Sequence, residues 1–305
     1  MSLRESRSLS SGSSETERYW RLYAHPAQAW WHASVALVLL ALGIGMGIWM
    51  LRLASEAWWE PAALPGPWEL LLWLEMGIAW WIPCSLWAVH IGLRRPLGYL
   101  LSVYGHIRWG LLMRAWAVAL AAAGGMAVLD FWITGALPAH RFAVPWAAVA
   151  VLVLFTPLQA AGEELVFRGA LQQIMACWAG RWTGRAWLRH VLVLAMPSLL
   201  FAALHGQQDV PLFAMRCLLG LVFAWVTVRT GGLEVAMALH AANNQAAIAE
   251  ALCAGRVSAL LLDTHMAWPT LGLQLGGTLG VAWLLVCRST ASKQTGQMPG
   301  TSRGG

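Results

Sequence analysis

Glu163-Glu164-Leu-Val-Phe-Arg168 sits at the end of the apolar run 145–166, and how it is read decides the fold. A carboxylate at membrane depth is expensive, so its default reading is functional. Two signatures of the same kind follow: Phe201-Ala-Ala-Leu-His205 and His240-Ala-Ala-Asn243-Asn244. Each lies in its own hydrophobic stretch. Working outward from them, the stretches near the roughly 20 residues that a crossing needs are 30–51, 68–92, 111–136, 145–166, 191–206, 211–229, 233–251 and 268–287. The expected fold class is all-α, a polytopic transmembrane helical bundle of about eight spans.

Composition supports this. The chain of 305 residues is 59% hydrophobic and 11% charged, with mean hydropathy +0.58. Soluble proteins carry roughly a quarter charged residues. The net charge of +6 is spread over loops and forms no concentrated basic face, which argues against nucleic-acid binding. Cys84, Cys177, Cys217, Cys253 and Cys287 form no Cys-x-x-Cys pair and read as small buried hydrophobes. Tryptophans cluster near span ends (Trp30, Trp31, Trp58, Trp59, Trp80, Trp81, Trp268), as in an interfacial belt.

The expected organisation is a disordered cytoplasmic tail at 1–22, N-terminal transmembrane helices at 23–145, a core carrying the three signatures at 146–251, a last loop and C-terminal span at 252–288, and a disordered tail at 289–305. The polar head and the length of the first apolar run argue for a retained span rather than a cleaved signal. Pro61, Pro65 and Pro67 punctuate one loop, Pro138 and Pro145 another, and Gly231-Gly232 a third. Gly124-Gly125 beside Ala121–Ala123 is expected to permit a close helix contact. Arginines concentrate in alternate loops (Arg94, Arg95, Arg108; Arg181, Arg185, Arg189) and in both tails, which places both termini in the cytoplasm. Trp and Ala content suggests a bacterial source, hence an inner membrane.

At helical period, Arg168 lies one turn beyond Glu164, on the same face, and the two can pair. Glu163 points about 100° away and is left as a free carboxylate. A desolvated carboxylate is a stronger base. Its bland reading is a snorkelling glutamate beside a structural ion pair. Phe201 and His205 share one face, and a lone histidine is more often structural. His240 and Asn244 share another, with Asn243 at i+3. An asparagine amide can stabilise an oxyanion, or serve as interhelical glue. Together the set contains a general base, proton carriers and amide donors, and suggests hydrolysis within a membrane. Counted from His190, His205 lies roughly 22 Å into its span, too deep unless that helix starts above the hydrocarbon or tilts. No Gly-x-Ser-x-Gly, P-loop or His-Glu-x-x-His occurs.

Glu-Glu-x-x-x-Arg, Phe-x-x-x-His and His-x-x-x-Asn, in this order on membrane spans, resemble the CPBP intramembrane proteases, which include the type II CAAX prenyl endopeptidases and the bacteriocin-processing and immunity proteins. The resemblance covers roughly 150–250. It implies an endopeptidase in which Glu163 and His205 activate water, His240 and Asn244 hold the oxyanion (Asn243 as the alternative donor), and Glu164, Arg168 and Phe201 order the site. Membrane lipid and a peptide or membrane-protein substrate are the implied partners. No cofactor is expected; the alternative is a zinc enzyme with Glu163, His205 and His240 as ligands. A further alternative is a non-catalytic binding or transport protein with a buried polar cluster, although the sequence shows no internal repeat.

Overall fold

A computed structural model describes residues 30–58, 67–134, 146–255, 257 and 264–295. The expected tail at 1–22, much of the tail at 289–305, and Trp59 of the expected belt lie outside them. The described residues form nine helices and no strand. They are α1 (Trp30–Trp58), α2 (67–92, interrupted by a turn at Trp80 and ending in a π turn, Ala88–Gly92), α3 (Gly98–Leu101), α4 (Trp109–Thr134), α5 (146–182), α6 (Ala186–Ala203), α7 (Val210–Thr230), α8 (Glu234–Cys253) and α9 (Trp268–Thr295). Each of the eight expected spans corresponds to a helix. In lipid every backbone N–H and C=O must be satisfied internally, which an unbroken helix does.

Seven of these helices are long and apolar enough to cross a membrane; α8 falls outside that set. Glu234, His240, Asn243, Asn244, Gln245 and Glu250 lower its hydropathy. It tolerates them because it packs against α4, α5 and α7, and its first half is buried. α9 continues to Thr295, past the boundary expected at 288.

α5 is built differently from the span read in the sequence. It runs on to Trp182, so Glu163 lies mid-helix rather than near an end. Two π turns, Val151–Phe155 and Leu165–Leu171, bracket the α-helical Thr156–Glu164. Such wide turns frequently accompany functional sites. α6 starts at Ala186 and ends at Ala203, so His205 lies past its end, exposed in the following turn. The depth expected for His205 is corrected on that ground.

The two ends of the bundle differ in chemistry. At one end an antiparallel bridge joins Ser102 to Gly232, with Val103 N–H donating to Gly231 C=O at 2.9 Å and Leu233 N–H to Leu101 C=O at 2.9 Å. Gly231 takes φ 70°, the left-handed cap that ends α7. Arg108 clamps the buried Glu234 carboxylate with two charge-assisted bonds, 2.9 and 2.7 Å, and donates to Thr230 C=O. At the other end Asp209 caps α7, accepting from Leu212 N–H at 2.9 Å and from Met266 N–H at 3.1 Å. The Leu212 amide first, with Met266 and His265 adding, holds the Asp209 carboxyl below its usual range.

Close helix approach does not occur where expected. Gly124 and Gly125 face open space. The tight crossings are elsewhere: a Cβ on Gly162 would stand 2.4 Å from the Ile78 carbonyl oxygen of α2. Nor are all cysteines buried. Cys84 is, Cys177 and Cys217 are half-buried, and Cys253 and Cys287 are exposed; all five are free thiols. Of the expected belt, Trp30, Trp31 and Trp268 are exposed at helix ends, whereas Trp80 and Trp81 lie in the middle of α2, with Trp81 packed against the core.

Candidate active site

Two apolar clusters meet at the middle of the molecule. One joins α1, α2 and α5 and includes Phe167, Phe201 and Met237; the other joins α4, α7, α8 and α9 and includes Phe223 and Leu239. The polar residues of the three signatures lie on the seam. Arg168 is 1% exposed, and its guanidinium carbon stands 4.5, 5.3 and 5.8 Å from the ring centres of Phe201, Phe223 and Phe167. Three aromatic faces around one cation give it electrostatic partners where water is excluded. The expected pair with Glu164 is present at 2.8 Å.

Glu164 does more than neutralise Arg168. Its Oε1 also accepts from His240 Nδ1 at 2.7 Å. A carboxylate oxygen can only accept, so Nδ1 carries the proton and Nε2 is turned away from Glu164. Nε2 lies 3.3 Å from Glu163 Oε2. The imidazole is held flat against Phe223 (ring centres 5.2 Å, 24°) and edge-on to Phe201 (5.8 Å, 84°). The two adjacent glutamates thus reach opposite nitrogens of one ring. Glu163 is not isolated as the helical period alone implied, yet its buried Oε2 accepts no hydrogen bond among the described residues.

His205 closes the group from the turn that follows α6. Its Nδ1 donates to the Phe201 carbonyl at 2.6 Å, which leaves Nε2 as the lone-pair nitrogen. The ring packs on Phe201 with centres 4.6 Å apart. Its surface is open to the cavity, but surrounding protein holds its imidazole below the usual range; nearby Glu163 opposes that effect and Arg216 reinforces it. Asn244 donates to Gln159 Oε1 at 3.0 Å.

All four expected site residues, Glu163, His205, His240 and Asn244, line a single cavity of about 700 Å³ together with Asn243 and Phe201. Glu164 and Arg168 stand behind it, buried. Sequence reading passed over Gln159, one turn before Glu163 and so on its face, and over Phe223 and Arg216 on α7. It also passed over Glu75 of α2, a buried carboxylate that accepts from Thr156 Oγ1 at 2.8 Å and lines the same cavity. Glu75 carried the same signal as Glu163, an acid within an apolar span; only the lack of a neighbouring motif hid it.

The zinc alternative does not fit this donor set. Among the described residues no group of three or more His, Cys, Asp or Glu is placed to hold a metal ion. His240 spends Nδ1 on Glu164 and faces Glu163 with Nε2, and His205 does not complete a third ligand position.

A helical membrane bundle with an acid–imidazole cluster at the base of an open cavity is the class that fold and site define. Residues 144–246, about a third of the chain, match the family model described as type II CAAX prenyl endopeptidase Rce1-like. The chain is also similar to the uncharacterized protein YyaK of Bacillus subtilis (strain 168), 27% identical over 171 residues. That match covers 53% of this chain and 55% of the relative, so the chain spans about half the length of the curated relative it matches. No solved structure matches.

Proposed function

We propose that this protein is an integral-membrane endopeptidase that hydrolyses a peptide bond with water activated by Glu163 and His205. The observation that carries the reading is the buried Glu163 Oε2, which accepts no hydrogen bond among the described residues and lines the same cavity as the lone-pair nitrogen of His205. A water bound there gives one proton to a carboxylate and directs its oxygen at a substrate carbonyl. The proton then passes to the leaving amine, so the acid and base roles alternate in one turnover.

The tetrahedral anion needs donors on the facing wall. Asn244 has two amide hydrogens, one already given to Gln159, and the second is available. His240 donates through Nε2 only in its doubly protonated form, with Glu164 Oε1 accepting from Nδ1. One such donor is worth roughly 2.7–4 kcal/mol in hydrolases where it has been removed. Gln159 positions Asn244, and Arg168 with its three rings fixes Glu164.

Glu163→Gln tests the proposal. The amide keeps shape and volume but cannot take the proton. Turnover of a peptide pool by the purified protein in detergent, read by mass spectrometry, is expected to fall about 10²–10⁴-fold, with an unchanged thermal melt. Wild-type turnover by that variant ends the reading.

A further inference from the structure

The cavity holds a second buried acid that the proposed hydrolysis leaves unused. Glu75 of α2 is 4% exposed and lines the cavity shared by Glu163, His205, His240 and Asn244. Both of its carboxylate oxygens lie against one hydroxyl, Thr156 Oγ1, at 2.8 and 3.0 Å. That hydroxyl has a single proton to give. The Val151 carbonyl, 3.0 Å from the same hydroxyl, already accepts from the Thr156 N–H across the π turn. The hydroxyl proton is therefore left for Glu75. A carboxylate has further lone pairs to fill, and among the described residues no cation pairs with this one. An acid sealed from water with one shared donor is costly until a partner reaches it.

The wall around Glu75 is aliphatic. Leu71, Leu74 and Ile78 come from its own helix, and Ile248 and Ala251 from α8. Such a wall suits the methylene stem of a lysine or arginine whose charged head ends at the acid. The nearby cation of the cavity does not fill this place: Arg216 stands on α7, donates to Gln208 at 2.7 Å and acts on His205.

Spacing relates Glu75 to the reacting centre. Its partner Thr156 and the base Glu163 belong to one α-helical stretch, and positions 156 and 163 are about 10 Å apart along its axis. Helical side chains lean towards the N-terminus, which brings Glu163 nearer to Glu75. An extended peptide crosses such a gap in about two to three residues.

From the burial, the aliphatic frame and the spacing we infer that Glu75 is a specificity-determining residue: it receives a lysine or arginine side chain of the peptide, about two to three residues from the bond that is cleaved. An acid at the base of a pocket sets the same preference in serine proteases that cut at basic residues. An acidic side chain at this place meets a like charge, and a leucine leaves the carboxylate without a partner. The place of the cation relative to a cleaved bond rests on the proteolytic reading of the cavity; the capture of the cation does not.

Glu75→Gln is the informative variant. The amide keeps the volume and its oxygen still accepts from Thr156, so the tie between α2 and α5 is kept while the charge goes; a thermal melt checks the fold. The purified full chain in detergent digests a pool of short synthetic peptides of random sequence, and the products are sequenced by mass spectrometry. Lysine and arginine are expected to be enriched at one position within about three residues of the cleaved bond. For one such peptide and its copy with norleucine in place of lysine, Glu75→Gln is expected to lower the ratio of the two kcat/KM values about 10–100-fold, the worth of one charge-assisted hydrogen bond. A purely structural role for Glu75 lowers both values together and leaves the ratio in place. An unchanged ratio, or wild-type products with no bias towards basic residues, overturns the inference.

A second measurement needs no cleavage. The Glu163→Gln chain is immobilised in detergent, the same pool is passed over it, and the retained peptides are sequenced. Peptides with lysine or arginine are expected to be enriched about tenfold, and the enrichment is expected to vanish when Glu75→Gln is added. Biased retention by a protein whose wild type cleaves nothing keeps the subsite and removes the proteolytic reading. Cleavage with no basic bias does the reverse.

Discussion

Each of the two histidines at the site has one nitrogen committed to a fixed partner. His205 shows this most simply: the Phe201 carbonyl takes the Nδ1 proton, so the ring presents a basic Nε2 only while it is neutral. Surrounding protein, with Arg216 adding to its effect, keeps that neutral form dominant to lower pH than usual, while Glu163 works against it. A base-catalysed rate falls as the base protonates, so the acid limb of kcat/KM is expected below about 6.5, the ordinary imidazole value. Removing a cation makes protonation easier. Arg216→Gln therefore raises the pKa of His205 and moves the acid limb to higher pH. A pH–rate profile of the two proteins checks it, and a limb that stays in place removes His205 as the titrating base. The motif residues themselves were legible because polar groups in apolar runs have few bland explanations. The partner of each was not, since Gln159 and Phe223 become informative only once α5, α7 and α8 are seen to converge.

At the scale of elements, the position of Glu163 depends on how near α2 can come to α5. Gly162 allows the Ile78 carbonyl of α2 to reach the backbone immediately beside the carboxylate. Any side chain there meets backbone, which cannot rotate away as a side-chain end can. Gly162→Ala is expected to cost about 1–3 kcal/mol by forcing the helices apart, and to reduce turnover through displaced Glu163. A melt in detergent and the peptide assay together check this. A stable variant with full activity shows that the crossing relaxes without consequence. Gly124→Ala is the control, because open space surrounds that position and a modest gain in helix propensity is expected. Sequence reading chose the wrong glycines because small-residue runs mark where a close contact can form, whereas only the packed neighbours decide where it does. It also ended the span of α5 too early, at the polar residues, since a helix shielded by other helices can continue through them.

The whole molecule supports its site from outside the segment that matches the family. α2 supplies Leu71, Leu74, Glu75 and Ile78 to the cavity wall, α9 and the residues before it supply Met266 and Gln274, and Trp116 of α4 donates to Gln245 beside Asn244 at 2.8 Å. Residues 67–134 carry no motif that composition or spacing could reveal, and so their role was not readable in advance. One tie between that half and the site-bearing half is the clamp of Arg108 on Glu234, which fixes the start of α8 six residues before His240. Glu234 is 1% exposed, so deleting the cation leaves a desolvated carboxylate behind. Arg108→Leu is expected to cost about 2–4 kcal/mol, near the lower part of the range for buried pairs because Arg108 is itself partly exposed. Glu234→Leu alone should cost a comparable amount through the stranded guanidinium. The double replacement removes both charges together, and apolar substitution of a whole buried pair is often close to neutral. Thermal melts of the two single variants and the double variant form a closed cycle. The expected result is a double variant more stable than either single one, with a coupling between the two sites of about 1–3 kcal/mol. Simple addition of the two losses means that the clamp is incidental to the joining of the halves.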